Sequence, residues 1–151
     1  MDAVAVPASF AEMAGRLLLA TLFGALVGLN RERQGKPAGL RTHALVALGA
    51  AQLVIVALLF GQHDVSAPSR VLQGAVAGVG FIGAGVILHR SGPQGVEGLT
   101  TAAAIWVVAA IGIAAGAGLW RTAASAVALT LFVLAAGERI DRWIHRDRPP
   151  D

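Results

Sequence analysis

The 151-residue chain has no cysteine and no tyrosine. Without cysteine there are no disulfides, no thiolate metal centres and no thiol catalysis. Charge is scarce at 14%, against about 25% in an ordinary soluble protein. Aromatic residues make up only 5%. Such a chain is neither a disordered segment nor a coiled coil nor an ordinary soluble domain. What fills the sequence is apolar and small. Residues of the set AVILMFWYC make up 56%, glycine occurs 19 times, and mean hydropathy is +0.68. This composition predicts an all-α, polytopic helical membrane protein, in which small side chains let helices approach closely.

A hydrocarbon core about 30 Å thick needs roughly 20 helical residues. Five apolar runs meet or approach that length, at about residues 10–29, 40–60, 71–88, 101–117 and 122–136. They form a membrane domain over 1–137, followed by a basic tail over 138–151. Only GAGLWR divides the last two runs. Gly116 and Gly118 can supply a tight reversal there. A hairpin is favoured over one broken helix, because roughly 36 helical residues would reach about 54 Å. With five spans, the first loop, third loop and tail share one side, which collects nine of the twelve Lys and Arg residues against two on the other. The positive-inside rule then places the N-terminus outside and the C-terminus in the cytoplasm. The opening MDAVAVPASFAEMAG lacks the basic region of a cleavable signal. The basic clusters abut span ends and suit anionic lipid headgroups, so the lipid bilayer, and not nucleic acid, is the expected partner.

Two segments resemble each other at an offset of about 59 residues: FGALVGLNRERQGKPAGLRTHALVAL from Phe23, and FIGAGVILHRSGPQGVEGLTTAAAIWV from Phe81. In both, a glycine-rich span end leads into a polar loop, and Gly-Leu-X-Thr opens the next apolar run. This pattern predicts a parallel repeat of two-span hairpins. Thr42, Thr100 and Thr101 are then expected to cap helix N-termini. Two such termini on one face, beside Arg41, would favour an anionic group.

The polar residues that remain are few. Glu12 and Arg16 lie four apart inside the first span and can pair on one face. Asn30, Arg31, Glu32 and Arg33 close that span, either as a basic anchor or as part of an ion or partner site. His43 can bind a proton or a metal, or simply hydrogen-bond nearby. Gln73, in the third span, reads as an interhelical hydrogen-bonding group. Glu97 precedes the fourth span, and no histidine cluster has metal-ligand spacing. Gly24 and Gly28, Gly74 and Gly78, and Gly112 and Gly116 form GxxxG pairs that imply close helix contact and favour a homodimer. Gly80, Gly83 and Gly85 extend the third-span stripe, dense enough to permit a kink, although packing is the stronger reading. No nucleophile elbow, paired carboxylate or H-E-x-x-H motif is present, so no enzyme and no cofactor is expected.

Four segments in order, GLNRER, AGLRTH, QGAVAGVGFIGAGVI and GLTTAAAIWVVAAIGIAAGAG, resemble the membrane domain of the MgtC/SapB family over nearly all of residues 12–137. The resemblance implies a bacterial inner-membrane protein of about this span number. It implies a role in magnesium, ion or energy homeostasis, exercised by binding other inner-membrane proteins, the F-type ATP synthase among those proposed. The rival expectation is an oligomeric transporter or channel for Mg²⁺ or an anion at the repeat interface. Some relatives support growth at low magnesium and survival inside macrophages. Longer relatives add a cytosolic C-terminal domain that this sequence is expected to lack. Gln34 stands where the family usually has an acidic residue, which counts against a multi-carboxylate cation site in the first loop.

Overall fold

In lipid a backbone must satisfy its own hydrogen bonds, and the five apolar runs do so as helices. The structure is a computed structural model that describes residues 6–61, 66–88, 91–92 and 95–144. The helices are α1 (Phe10–Arg33), α2 (Leu40–Phe60), α3 (Ala67–Leu88), α4 (Leu99–Gly116) and α5 (Trp120–Ile144). All five are long and apolar enough to cross a membrane. Between α3 and α4, β1 (Ser91–Gly92) pairs antiparallel with β2 (Gly95–Val96).

Local chemistry sets the ends. Ser9 caps α1 by accepting from the Glu12 backbone N–H. α1 continues to Arg33, beyond the apolar run that ends near 29, because Asn-Arg-Glu-Arg contains no helix breaker. α3 starts at Ala67, with Pro68 in the first turn, where proline is tolerated. α5 runs on to Ile144, so the first part of the basic tail is helical. The reversal between α4 and α5 is a hairpin. The Gly118 N–H donates to Ala115 O and the Leu119 N–H to Ala114 O, with Gly118 at φ +83°. That is a Schellman motif, and its left-handed residue is a glycine.

α4 is the hub and touches each of the other four helices. Glycine pairs make this possible. A Cβ on Gly24 would lie 2.5 Å from His43 O, and one on Gly28 would lie 2.7 Å from Leu40 Cα. A Cβ on Gly116 would lie 2.6 Å from Ala51 O, and Gly112 meets the Ala47 backbone as closely. α2 is therefore held between a glycine pair of α1 and a glycine pair of α4. The third pair differs. Gly74 and Gly78, like Gly80 and Gly85, have nothing within 4 Å of a built Cβ, whereas Gly83 makes ordinary contact with Ala102. α3 runs unbroken through this stripe. The buried core is apolar and small, with Ala20, Val27, Ala47, Val108, Ile111 and Ala115 at its centre. Large side chains such as Phe81 (83% exposed) and Phe132 face outward, as a lipid-facing surface requires.

Candidate functional site

Polar groups gather at the two ends of the bundle. At one end, Arg16 is buried between α1 and the α4–α5 turn. Its NH1 donates to Gly116 O at 3.0 Å and its NH2 to Glu12 Oε1 at 2.5 Å. Gly116 ends α4, so the guanidinium sits where the helix dipole is negative. A Cβ on Gly118 would come within 3.0 Å of Arg16 Cζ. Glu12 completes the arrangement by accepting from the Ala8 N–H at 2.8 Å. This end reads as a polar clamp that fixes α1 to α4.

The other end holds the two hairpin loops. α2 and α4 start at the same place in the repeated motif, on the leucine of Gly-Leu-X-Thr, with Gly39 and Gly98 as N-caps. The expected threonine caps do not form: neither N-cap has a side-chain hydrogen bond. The reason is register. Thr42 and Thr101 fall three residues into their helices, whereas a capping oxygen must stand just before the first. Glu32 serves α2 instead. Its Oε2 accepts from the Leu40 N–H at 2.8 Å, and its carboxylate packs so close that a Cβ on Gly39 would lie 2.9 Å from it. Gly98 has φ +93°, a conformation that L side chains rarely adopt.

Beside these termini Arg31 is only 2% exposed. Its NH1 donates to Gln34 Oε1 at 2.9 Å, and Gln34 Nε2 donates to Asn30 Oδ1 at 3.2 Å. Arg31 Nε is buried with no hydrogen-bond partner. His43 is fully buried. Its Nδ1 donates to Gly39 O at 2.9 Å, and its Nε2 is buried and unpartnered. Arg31 and Lys36 from the first hairpin face Glu97, Leu99, Thr100 and Thr101 from the second across a cavity of about 510 Å³. Thr101 is buried at 2% exposure. Glu138 of α5 acts electrostatically on Arg31.

The structure thus brings together Arg31, Thr100, Thr101 and Glu97, with Asn30, Glu32 and His43 around them. It sets Glu12 and Arg16 at the far end of α1. Arg33 and Arg41 are exposed and outside the cavity lining, Thr42 is half-buried, and Gln73 is exposed on α3. His63, Asp64, His89, Arg90 and the tail from His145 lie outside the described residues. Lys36 and Gln34 went unnoticed in the sequence as site residues. The repeat was the available signal, because it aligns their loop with the one before α4. Among the described residues no group of three or more His, Asp or Glu is placed to hold a metal ion.

No solved structure matches the chain. Sequence relatives do. SrpB of Synechococcus elongatus is 46% identical over 143 residues, covering 87% of this chain and 79% of that protein. YhiD of Escherichia coli is 45% identical over 131 residues, covering 82% of this chain and 60% of its own. MgtC of Salmonella typhimurium is 42% identical over 120 residues, covering 80% of this chain and 48% of its own. The chain therefore spans between about half and four fifths of these relatives. The model of the MgtC family matches residues 17–143. By that match, and by those relatives, this multi-pass membrane protein belongs to the MgtC family.

Proposed function

We propose that the protein serves magnesium, and more broadly ion or energy homeostasis, as a modulator that binds other proteins of the bacterial inner membrane. Magnesium enters through a relative: the name of YhiD describes a candidate magnesium transporter. The observation that carries the modulator reading is the apolar, tightly packed core. Gly112 and Gly116 press on the backbone of α2, and the centre of the bundle is lined by alanine, valine and isoleucine. The charged side chains lie toward the two ends of the helices, with that apolar packing between them. An ion crossing a single copy would have to shed its water into hydrocarbon-like surroundings, a cost of many kcal/mol. A protein of this build acts through its surface. In reconstituted vesicles the purified chain is expected to move no Mg²⁺ down an imposed gradient, while a tagged copy in native membranes retains a defined membrane protein through purification. Mg²⁺ flux from the purified chain alone would overturn the reading.

One observation favours the rival reading, an oligomeric transporter. Gly74 and Gly78 border an open apolar groove of about 620 Å³ between α2 and α3. Copies joined there would enclose surface that one copy leaves open. In that case flux appears in vesicles and falls on Glu12→Ala or Arg41→Ala.

A further inference from the structure

The repeat supplies an internal comparison at the second polar end. In the first hairpin, the N-terminus of α2 holds an oxyanion: the Glu32 carboxylate on the Leu40 N–H. In the second hairpin the equivalent terminus begins at Leu99, again one residue after a glycine. Shifted by the same 59 residues, the position of Glu32 is occupied by Ser91. The second copy has no carboxylate at this register, and its N-cap, Gly98, has no side chain with which to cap α4. The first N–H groups of a helix attract negative charge.

A second observation points to a ligand independently. Arg31 lines the cavity over this terminus, is only 2% exposed, and has a buried Nε without a partner. The side-chain acceptor it meets is the neutral amide of Gln34. A buried guanidinium held by a neutral group is costly unless an anion completes it. Lys36 adds a second cation on the same wall, and the Thr100 and Thr101 residues add hydroxyl groups. Two acids oppose this charge. Glu97 shares the lining but is exposed and has an interaction of its own, and Glu138 acts on Arg31 from α5. Neither accepts from Arg31 Nε.

We infer that the cavity between the two hairpin loops binds a phosphate-class oxyanion, held by Arg31 and Lys36 against the N-terminus of α4. Several donors of different kinds around a cavity of about 510 Å³ suit a tetrahedral group with several oxygens better than a planar carboxylate. The group is either free phosphate or the headgroup of an anionic lipid, since the cavity stands at the end of the membrane spans.

The test uses the full chain in a maltoside detergent free of phosphate. In one arm sodium phosphate is added, against sodium chloride at equal ionic strength. In the other, phosphatidylglycerol is mixed into the micelles. Melting of the helical signal is followed in both. A rise in melting temperature with phosphate identifies the free ion, and a rise with phosphatidylglycerol alone identifies the headgroup; either supports the site. Thr100→Asp places a carboxylate in the first turn of α4, where acid is tolerated, and should abolish the rise. Lys36→Gln should weaken binding about tenfold, the loss of one charge-assisted contact. Arg33→Gln, outside the cavity, should change nothing. Arg31→Gln should also lose binding, but it removes a buried group, so the two exposed positions keep the test sound if that variant does not fold. No rise in either arm, or an equal rise in wild type and Thr100→Asp, overturns the site.

Discussion

Arg16 shows how much one polar side chain can do in an apolar bundle. It joins Glu12, four residues away, to the last carbonyl of α4, one hundred residues away. Arg16→Ala removes the charge-assisted hydrogen bonds to Glu12 and to Gly116 O. The expected cost is about 2–3 kcal/mol, read from denaturant unfolding in micelles. Arg16→Lys should recover only part of this, because an ammonium lacks the planar fork that reaches both acceptors. Glu12 is exposed, so Glu12→Gln should cost distinctly less than Arg16→Ala in the same assay. The Arg16–Glu12 spacing was legible in the sequence as a helical pair. Its third partner was not, because nothing in local sequence marks which carbonyl one hundred residues on will be left open.

At the scale of elements, three GxxxG pairs look alike in sequence and behave differently in the fold. Gly24/Gly28 and Gly112/Gly116 press on α2 backbone, while a Cβ added at Gly74 or Gly78 would meet nothing within 4 Å. Gly116→Val should therefore force α4 away from Ala51 and destabilise the fold by about 1–3 kcal/mol. Gly74→Val and Gly78→Val should leave monomer stability within about 1 kcal/mol, the propensity cost of the change. If the α3 face joins two copies, these same variants reduce crosslinked dimer in membranes; dimer unchanged by both would place any association elsewhere. Helix starts were more legible than packing. The doubled Gly-Leu-X-Thr motif coincides with the first residues of α2 and α4, because a glycine N-cap followed by an apolar residue is a local signal. The caps themselves were misread, since Glu32 reaches back to Leu40 from the preceding helix.

At the scale of the molecule, five membrane-crossing helices put the two hairpin loops at one end and the α2–α3 and α4–α5 connections at the other. The natural absence of cysteine makes this simple to test. Single cysteines at Lys36 and at Leu119 should react with an impermeant thiol reagent from opposite faces, with Lys36→Cys protected in intact cells and exposed in inverted vesicles. Reaction of both from the same side would contradict the odd span count. An apolar core flanked by two polar ends also predicts that substitutions at Arg31 and at Arg16 act independently, their effects on unfolding adding within about 0.5 kcal/mol.

The sequence by itself determined that the chain lives in lipid, how many times it crosses and roughly where each crossing begins. Those properties follow from composition summed over some twenty neighbouring residues, and partition into a bilayer responds to that sum. Only the tertiary structure decided which glycines carry helix contacts, which carbonyl Arg16 holds, and that Arg31 and Lys36 rather than Arg41 stand over the start of α4. Each of these depends on the approach of helices far apart in the chain, and identical local patterns such as GxxxG contain no information about which face a distant neighbour will meet.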